Sequence, residues 1–346
     1  MIKYFSLRPI KKFGRTFNII IGGRGTGKTF NSINEDIDDG VGFIYMRRTQ
    51  DEVNLISSGD DNVDLSPFAK ITRVSNSGRY KDLIPKTLSI SKINKHINSI
   101  NLGDEKKNVG IMLALSTVAK IRGFDADIYD DFIYDEFIPE KHVHKIGKGT
   151  AEADAILNAY ETINRNREFE GKKPIRMFLL SNANDIAHPF LEETGLTSVL
   201  EKMRRKGKSF VDMPERDCTV TYFEDKEFKE QKSKTALYRF TKGTNFYKMA
   251  ISNEFSYDDF SLIKSMPLIE YKPYCTIDGI SIYRHKSNGK FYASAHYSGG
   301  ENFSNSENDI ALFYMKYGRQ LYGEFVTGDL LFENYAIKKK LLDYIS

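Results

Sequence analysis

Thr16-Phe-Asn-Ile-Ile-Ile-Gly-Gly-Arg-Gly-Thr-Gly-Lys-Thr-Phe30 decides how the rest of the chain is read. Phe17 to Ile21 is a short, β-prone apolar run that predicts a buried strand. A glycine-rich loop follows, and then a helix-compatible run from Phe30 to Ile37. Gly22, Gly27, Lys28 and Thr29 fill the G-x-x-x-x-G-K-[ST] phosphate-loop pattern. Gly22, Gly23, Gly25 and Gly27, interleaved with Arg24 and Thr26, free the backbone N–H groups to turn toward phosphate oxygens. The helix N-terminus beyond them favours the same anion. Lys28 is placed to reach the β- and γ-phosphates, and the Thr29 hydroxyl to bind Mg²⁺.

The composition fits a folded domain or two. The chain has 346 residues, 40% hydrophobic and 28% charged. No apolar run approaches the ~18 residues of a membrane span, and no signal-peptide core follows Met1, so neither a membrane partner nor secretion is expected. Cys218 and Cys275 make neither a disulfide framework nor a zinc spacing. The net charge of +4 is modest, but Glu201 to Lys208 alone carries as much. That segment reads either as a solvated linker or as a patch for a nucleic-acid backbone.

Working outward, Val41–Met46, Val109–Ser116, Ile128–Phe137 and Ile175–Leu180 read as further buried strands. Glu152–Glu168 carries a helical stripe through Ala155, Ile156, Ala159, Tyr160 and Ile163. Ser57–Asp64 reads as a loop, and Lys70–Asn108 as several short β pieces. Strands alternating with helices predict a mostly parallel sheet covered on both faces. The pattern changes near residue 200. Charged, weakly periodic sequence runs to about Tyr247, and from Phe260 the chain reads as hairpins with an Asn-Gly turn at Lys286–Gly289. Asp309–Tyr317 and Tyr335–Ile345 read as helices.

Phe132-Ile-Tyr-Asp135-Glu136 supplies the second half of a nucleotide site. Asp135 is the candidate Mg²⁺ ligand with Thr29, and Glu136 the candidate to polarise an attacking water. The GTPase base-reading element is absent, which favours ATP. Phosphoryl transfer also calls for an arginine on the γ-phosphate, worth ~10³–10⁵ in rate. Arg24, Arg122, Arg165 and Arg167 are the candidates, with the last two closing a helix whose dipole they would also satisfy. Ser181-Asn182, at a strand end, reads as a γ-phosphate sensor or as a helix cap. Lys141, Lys145 and Lys148, in the loop after Glu136, suit a phosphate backbone. His142 and His144 lack further ligands at metal spacing.

Together, the phosphate loop, Tyr45-Met-Arg-Arg48, Ala119-Lys-Ile-Arg-Gly123, Ile133-Tyr-Asp-Glu-Phe-Ile138, Arg165-Asn-Arg-Glu168 and Leu180-Ser-Asn-Ala183 resemble the DNA-packaging ATPases of phi-29-like short-tailed phages, relatives of large terminase subunits. The resemblance is tightest over residues 15 to 190. It implies an α/β P-loop NTPase of the ASCE type over 1–200, a basic linker or small linker domain over 201–250, and a smaller α+β RNase H-like domain without nuclease activity over 251–346. It implies a homomeric ring, a pentamer, that hydrolyses ATP with Mg²⁺ to drive double-stranded DNA through the portal of a preformed capsid. Arg165 falls on the family's finger that acts in a neighbouring subunit, and Arg122 on a basic position near the γ-phosphate. In some members the motor docks on a structural RNA ring. The expected location is the host cytoplasm, transiently at the procapsid vertex. The rival readings are a nuclease-active terminase, another P-loop ATPase or helicase, and an ATP-binding scaffold. From the residues themselves, Asp278 stands without an evident set of partner acids, which argues against a two-metal nuclease.

Overall fold

A computed structural model describes residues 3–57, 66–78, 83–121, 123, 125–139, 151–182, 186–244, 247, 261–297 and 299–346. The chain divides into two compact units. One is Met1–Asp185 with Met203–Ser256; the other is Ile186–Lys202 with Tyr257–Ser346.

Elements of the first stretch are α1 (Arg8–Lys11), β1 (Phe17–Gly22), α2 (Lys28–Asp38), β2 (Phe43–Arg47), α3 (Gln50–Ser57), α4 (Pro67–Asn76), β3 (Leu88–Lys92), β4 (Asn98–Leu102), β5 (Lys107–Ala114), β6 (Asp131–Asp135), α5 (Ala151–Asn164) and β7 (Arg176–Ser181). There follow α6 (Pro189–Glu193), α7 (Leu196–Arg205), β8 (Phe210–Met213), β9 (Cys218–Phe223), α8 (Lys226–Ser233) and α9 (Ala236–Phe240). The described strands of the first unit form one nine-stranded sheet, ordered β3-β4-β5-β2-β6-β7-β1-β9-β8. Its middle, from β5 to β9, is parallel, and antiparallel strands close both edges.

Strand β1 has parallel neighbours on both sides, and residues on both of its faces are buried, Ile19, Ile20 and Ile21 among them. Each such side chain contributes about 1.5–3 kcal/mol. Its one polar residue, Asn18, is satisfied: the amide donates to the Arg15 carbonyl at 2.9 Å and accepts from Thr219 Oγ1 at 2.7 Å. The glycine loop leaves the carboxyl end of β1. Asp135 ends β6, two strands away across β7, so both meet at one edge of the sheet, where open α/β sheets bind ligands.

Buried charges hold this frame. Arg48, just past β2, makes a two-pronged ion pair with Glu152 of α5, its Nη2 at 2.8 Å, and both are nearly inaccessible. Lys11 bridges the buried carboxylates of Asp36 and Asp131, and Arg176 Nε completes the group at 2.7 Å from Asp131.

Three expectations are corrected. Lys70–Asn76, read as β-prone, belongs to α4, where Ser66 caps the Phe68 N–H at 3.0 Å and Pro67 opens the first turn. The stretch expected as a linker over 201–250 instead supplies β8 and β9, and β9 lies directly beside β1. The helix read from Asp309 begins at Glu307, after the Ser306 cap, and passes at Tyr314–Gly318 into a wider π turn.

The second unit has a five-stranded sheet, with β10 (Tyr271–Ile277), β11 (Ile280–His285), β12 (Phe291–Ser294), β13 (Glu301–Phe303) and β14 (Leu330–Phe332) in the order β13-β10-β11-β12-β14. β10, β11 and β12 form an antiparallel meander, and the two outer strands are parallel to their neighbours. The expected Asn-Gly turn joins β11 to β12, with Asn288 accepting from the Lys290 N–H at 3.0 Å. Helices α10 (Glu307–Phe313), α11 (Arg319–Thr327) and α12 (Tyr335–Ile345) pack Phe313, Leu321 and Leu341 onto the sheet's apolar face.

Candidate nucleotide site

The glycine loop bends back on itself because Gly25 and Gly27 take left-handed φ of 78° and 88°. Gly27 then caps α2, and Lys28 is its first residue. The Lys28 side chain lies along the loop and donates to the carbonyls of Gly22 at 2.7 Å and Gly23 at 3.0 Å, and to Asn182 Oδ1 at 3.1 Å. Burial pushes its ammonium down to about 7, with Asp135 pulling the other way. A buried cation whose partners are mostly neutral oxygens is a strong anion receptor.

Thr29 Oγ1 donates to the Asp135 carboxylate, 3.0 Å from each oxygen. Asp135 also accepts from Tyr45 at 2.8 Å and from Arg47 at 3.2 Å. Burial raises its pKa above the ordinary carboxylate value, against the pull of Arg47. Thr29 and Asp135 thus place two hard oxygen donors side by side, a set that suits Mg²⁺, which keeps several waters and takes one or two protein ligands. Glu136 follows in a left-handed turn with φ 56°, its side chain half-exposed and accepting from Arg47 at 2.7 Å. A cavity of about 290 Å³ opens over these groups, bounded by Arg24–Phe30, Lys70, Asp135, Glu136, Ser181 and Asn182.

The predicted residues therefore fall into three groups. Gly22–Thr29, Asp135, Glu136 and Asn182 come together. Arg165 does not join them. The N–H of Ile175, one residue before β7, donates to Asn164 at the end of α5 at 2.9 Å, so this helix ends at the starting edge of the sheet. Arg165 is exposed there with φ 45°, opposite the glycine loop. Arg167 is buried and donates to the Tyr129 carbonyl at 2.6 Å, to Asp130 at 3.0 Å and to the Lys173 carbonyl at 3.1 Å, a purely structural engagement. The third group, Arg122, Lys141, Lys145 and Lys148, lies outside the described residues. Of the basic run, Lys202, Arg205, Lys206 and Lys208 are exposed.

Two site residues escaped the sequence reading. Arg47 stands in the Tyr45-Met-Arg-Arg48 motif with no chemical role assigned to it, yet it ties Asp135 to Glu136. Lys232 sits on α8, in a charged stretch with weak periodicity. Its ammonium donates to the Arg24 carbonyl and lies 5.0 Å from the Tyr238 ring centroid and 5.6 Å from that of Phe228. Burial and Arg24 push it down to about 8. The only local hint was Asp225, whose side chain caps α8 at the Phe228 N–H at 2.7 Å.

Two solved structures share the fold. A chain of the bacteriophage Phi-29 viral genome packaging motor assembly aligns with a TM-score of 0.62 at 21% identity, over 99% of this chain and all of that one. The Phi-28 gp11 DNA packaging motor aligns with a TM-score of 0.57 at 18% identity, over 100% of this chain and 98% of that one. Proteins named DNA packaging protein match at 25% identity in Bacillus phage B103 (71% of this chain, 66% of that protein) and Bacillus phage PZA (75% and 68%). The matched stretch thus spans about two thirds of the length of these curated relatives. The model of the family described as Podovirus DNA encapsidation protein (Gp16) matches residues 96–271, half of the 346-residue chain, and the chain belongs to that family.

Proposed function

We propose that the chain is an ATP-hydrolysing motor that moves double-stranded DNA into a preformed capsid. The observation that carries this reading is the meeting of Lys28, Thr29, Asp135 and Glu136 at one sheet edge, in a chain of the DNA encapsidation family. Lys28 exchanges its carbonyl partners for phosphate oxygens, and the glycine loop supplies backbone donors. Thr29 and Asp135 would hold Mg²⁺, which when bound supplies positive charge to the phosphate oxygens. Glu136 orients a water and accepts its proton as the oxygen attacks the γ-phosphorus and the bond to ADP breaks. Arg47 donates to that carboxylate at 2.7 Å and so positions it beside Asp135.

Arg165, on the opposite edge from its own phosphate loop, suits a finger that completes a neighbour's site. That supports a homomeric ring, a pentamer at the capsid portal, assembled in the host cytoplasm. The second unit is read as an RNase H-like module without nuclease activity, in keeping with Asp278 bonded to Lys340 at 2.8 Å and Tyr344 at 2.7 Å. Lys141, Lys145 and Lys148 remain the proposed contacts to the DNA backbone.

Mixing inactive variants tests the shared site. Arg165→Ala and Glu136→Ala subunits, combined in one ring, should regain part of the ATPase activity, because some interfaces pair an intact finger with an intact base. Assembled mixed rings with no regained activity would contradict it.

A further inference from the structure

The turn after α5 is pinned on one side and open on the other. Arg167 bonds the Tyr129 carbonyl and Asp130, and Lys172 pairs with Asp127, so the turn is stitched to the stretch that leads into β6. Within it, the N–H groups of Gly171 and Lys172 return to the carbonyls of Glu168 and Arg167 at 3.1 and 2.9 Å. Yet Phe169 is 91% exposed, and Ile128, between the two stitches, is 72% exposed. A second apolar pair stands at the other edge of the same sheet. There α9 exposes Leu237 and Phe240, the latter by 89%. Lys232 holds it beside the glycine loop, donating to the Arg24 carbonyl and lying over the ring of Tyr238, the buried residue of α9. We infer that Phe169 and Ile128 of one copy dock against Leu237 and Phe240 of the next, as the apolar anchor of a head-to-tail contact. The inference rests on the proposed finger Arg165 and extends it to the residues that place that finger.

A second copy of this chain is the partner for three reasons. The first is preorganisation. The hydrogen bonds of the turn have already met the cost of ordering it, so burying the Phe169 ring returns mostly as affinity. The second is symmetry. The two patches are different surfaces on opposite edges, so each copy turns one patch toward one neighbour and the other toward the next, which is the arrangement that closes rings. The third is what each patch carries with it. Phe169 lies four residues from Arg165 in one tight turn, and α9 is bonded through Lys232 to the loop of the phosphate cavity. Docking the patches therefore carries Arg165 to the edge that holds the neighbour's cavity. An aromatic ring beside an arginine is also the pairing in which interface energy concentrates. Arg167, buried and fully engaged, becomes a positioning residue that sets the turn for both.

Crosslinking of the full-length chain tests the pairing. Its own Cys218 and Cys275 are buried, so Phe169→Cys combined with Phe240→Cys adds two exposed thiols over a silent background. With double-stranded DNA present, a short bis-maleimide should link the double variant into a ladder of multimers, and each single variant should stay monomeric. A single variant that links as readily as the double would overturn the head-to-tail contact. So would a double variant that stays monomeric, and loss of DNA binding in Phe240→Asp beside that result would assign α9 to the nucleic acid.

Turnover separates the anchor from the finger. Phe169→Asp should raise the protein concentration at half-maximal ATPase rate by about tenfold or more, with the rate at saturating protein within about twofold of wild type. Arg165→Ala should lose the rate at every concentration. An unshifted half-maximal concentration in Phe169→Asp would overturn the anchor and leave the finger standing. A full rate in Arg165→Ala, with the shift in Phe169→Asp intact, would overturn the finger alone.

Discussion

Asp135 and Asp278 both follow a run of strand residues at the edge of a sheet, one in each unit, and their surroundings differ. Asp135 is buried, bonded to Thr29, Tyr45 and Arg47, and next in sequence to a second carboxylate. Its pKa is raised by burial. Asp278 lies in the β10–β11 turn, where burial opposes its charge but Lys340 and Tyr344 outweigh that and pull it below the ordinary value. Its carboxylate is engaged by Lys340 at 2.8 Å and Tyr344 at 2.7 Å. Among the described residues no group of three or more metal-binding side chains gathers near it or elsewhere. A carboxylate at a strand end becomes a reaction site only where the topology converges other functional groups on it. The parallel sheet of the first unit does so by bringing the ends of β1, β2, β6 and β7 to one edge. The antiparallel meander of the second alternates its strand ends and gathers fewer.

The sharpest way to break this comparison is to remove each carboxylate in turn. Glu136→Gln should lower phosphate release by about 10³-fold or more, and Lys28→Ala comparably, by loss of transition-state charge control. Asp278→Ala should leave turnover within about twofold by the same reasoning. Equal losses would erase the distinction.

Stability separates the units next. Arg48→Ala leaves Glu152 charged and buried, and should cost about 3–5 kcal/mol in urea unfolding followed by circular dichroism. Lys340→Ala touches a part-exposed pair and should cost no more than about 1 kcal/mol.

Proton linkage gives a subtler contrast. Burial pushes the Lys28 ammonium down to about 7, and bound phosphate would raise it. Above that pH the complex therefore holds more protons than the free protein, so nucleotide affinity should fall as pH rises from about 7 to 9. Titration calorimetry in two buffers of different ionisation enthalpy at pH 8 should register proton uptake. At Asp278 the sign is reversed. Its lowered pKa contributes stability above the unfolded value, which is lost as pH falls through the folded value. The loss in wild type but not in Asp278→Asn should be visible in urea midpoints between pH 5 and 3, and it is the smallest effect here.

What the sequence disclosed follows from the range of the interactions. β1, its loop, α2 and the Asp135-Glu136 pair were legible because each is local: an apolar run, glycines at fixed spacing, acids after a strand. The helix α4 is masked in the sequence because Ile71 and Val74 are β-branched, although Ser66-Pro67 is a start signal and Phe68, Ile71 and Ser75 mark its buried face. β8 and β9 read as linker because their flanks are charged; only pairing with β1, some 200 residues earlier, brings β9 into the sheet, and β8 joins as the edge strand beside β9. Arg47 acquires its role across neighbouring strands, 88 residues from Asp135, and Lys232 across 208 residues from Arg24. No local pattern announces such contacts.

The central claim is an ATP site that a neighbouring subunit completes. The most direct test is steady-state ATPase activity of the purified protein against its own concentration, with and without double-stranded DNA, beside Arg165→Ala. The account predicts a rate per subunit that climbs with concentration, gains from DNA and collapses in the variant. A rate that is flat with concentration and indifferent to both DNA and Arg165 would contradict it and leave a self-contained ATPase.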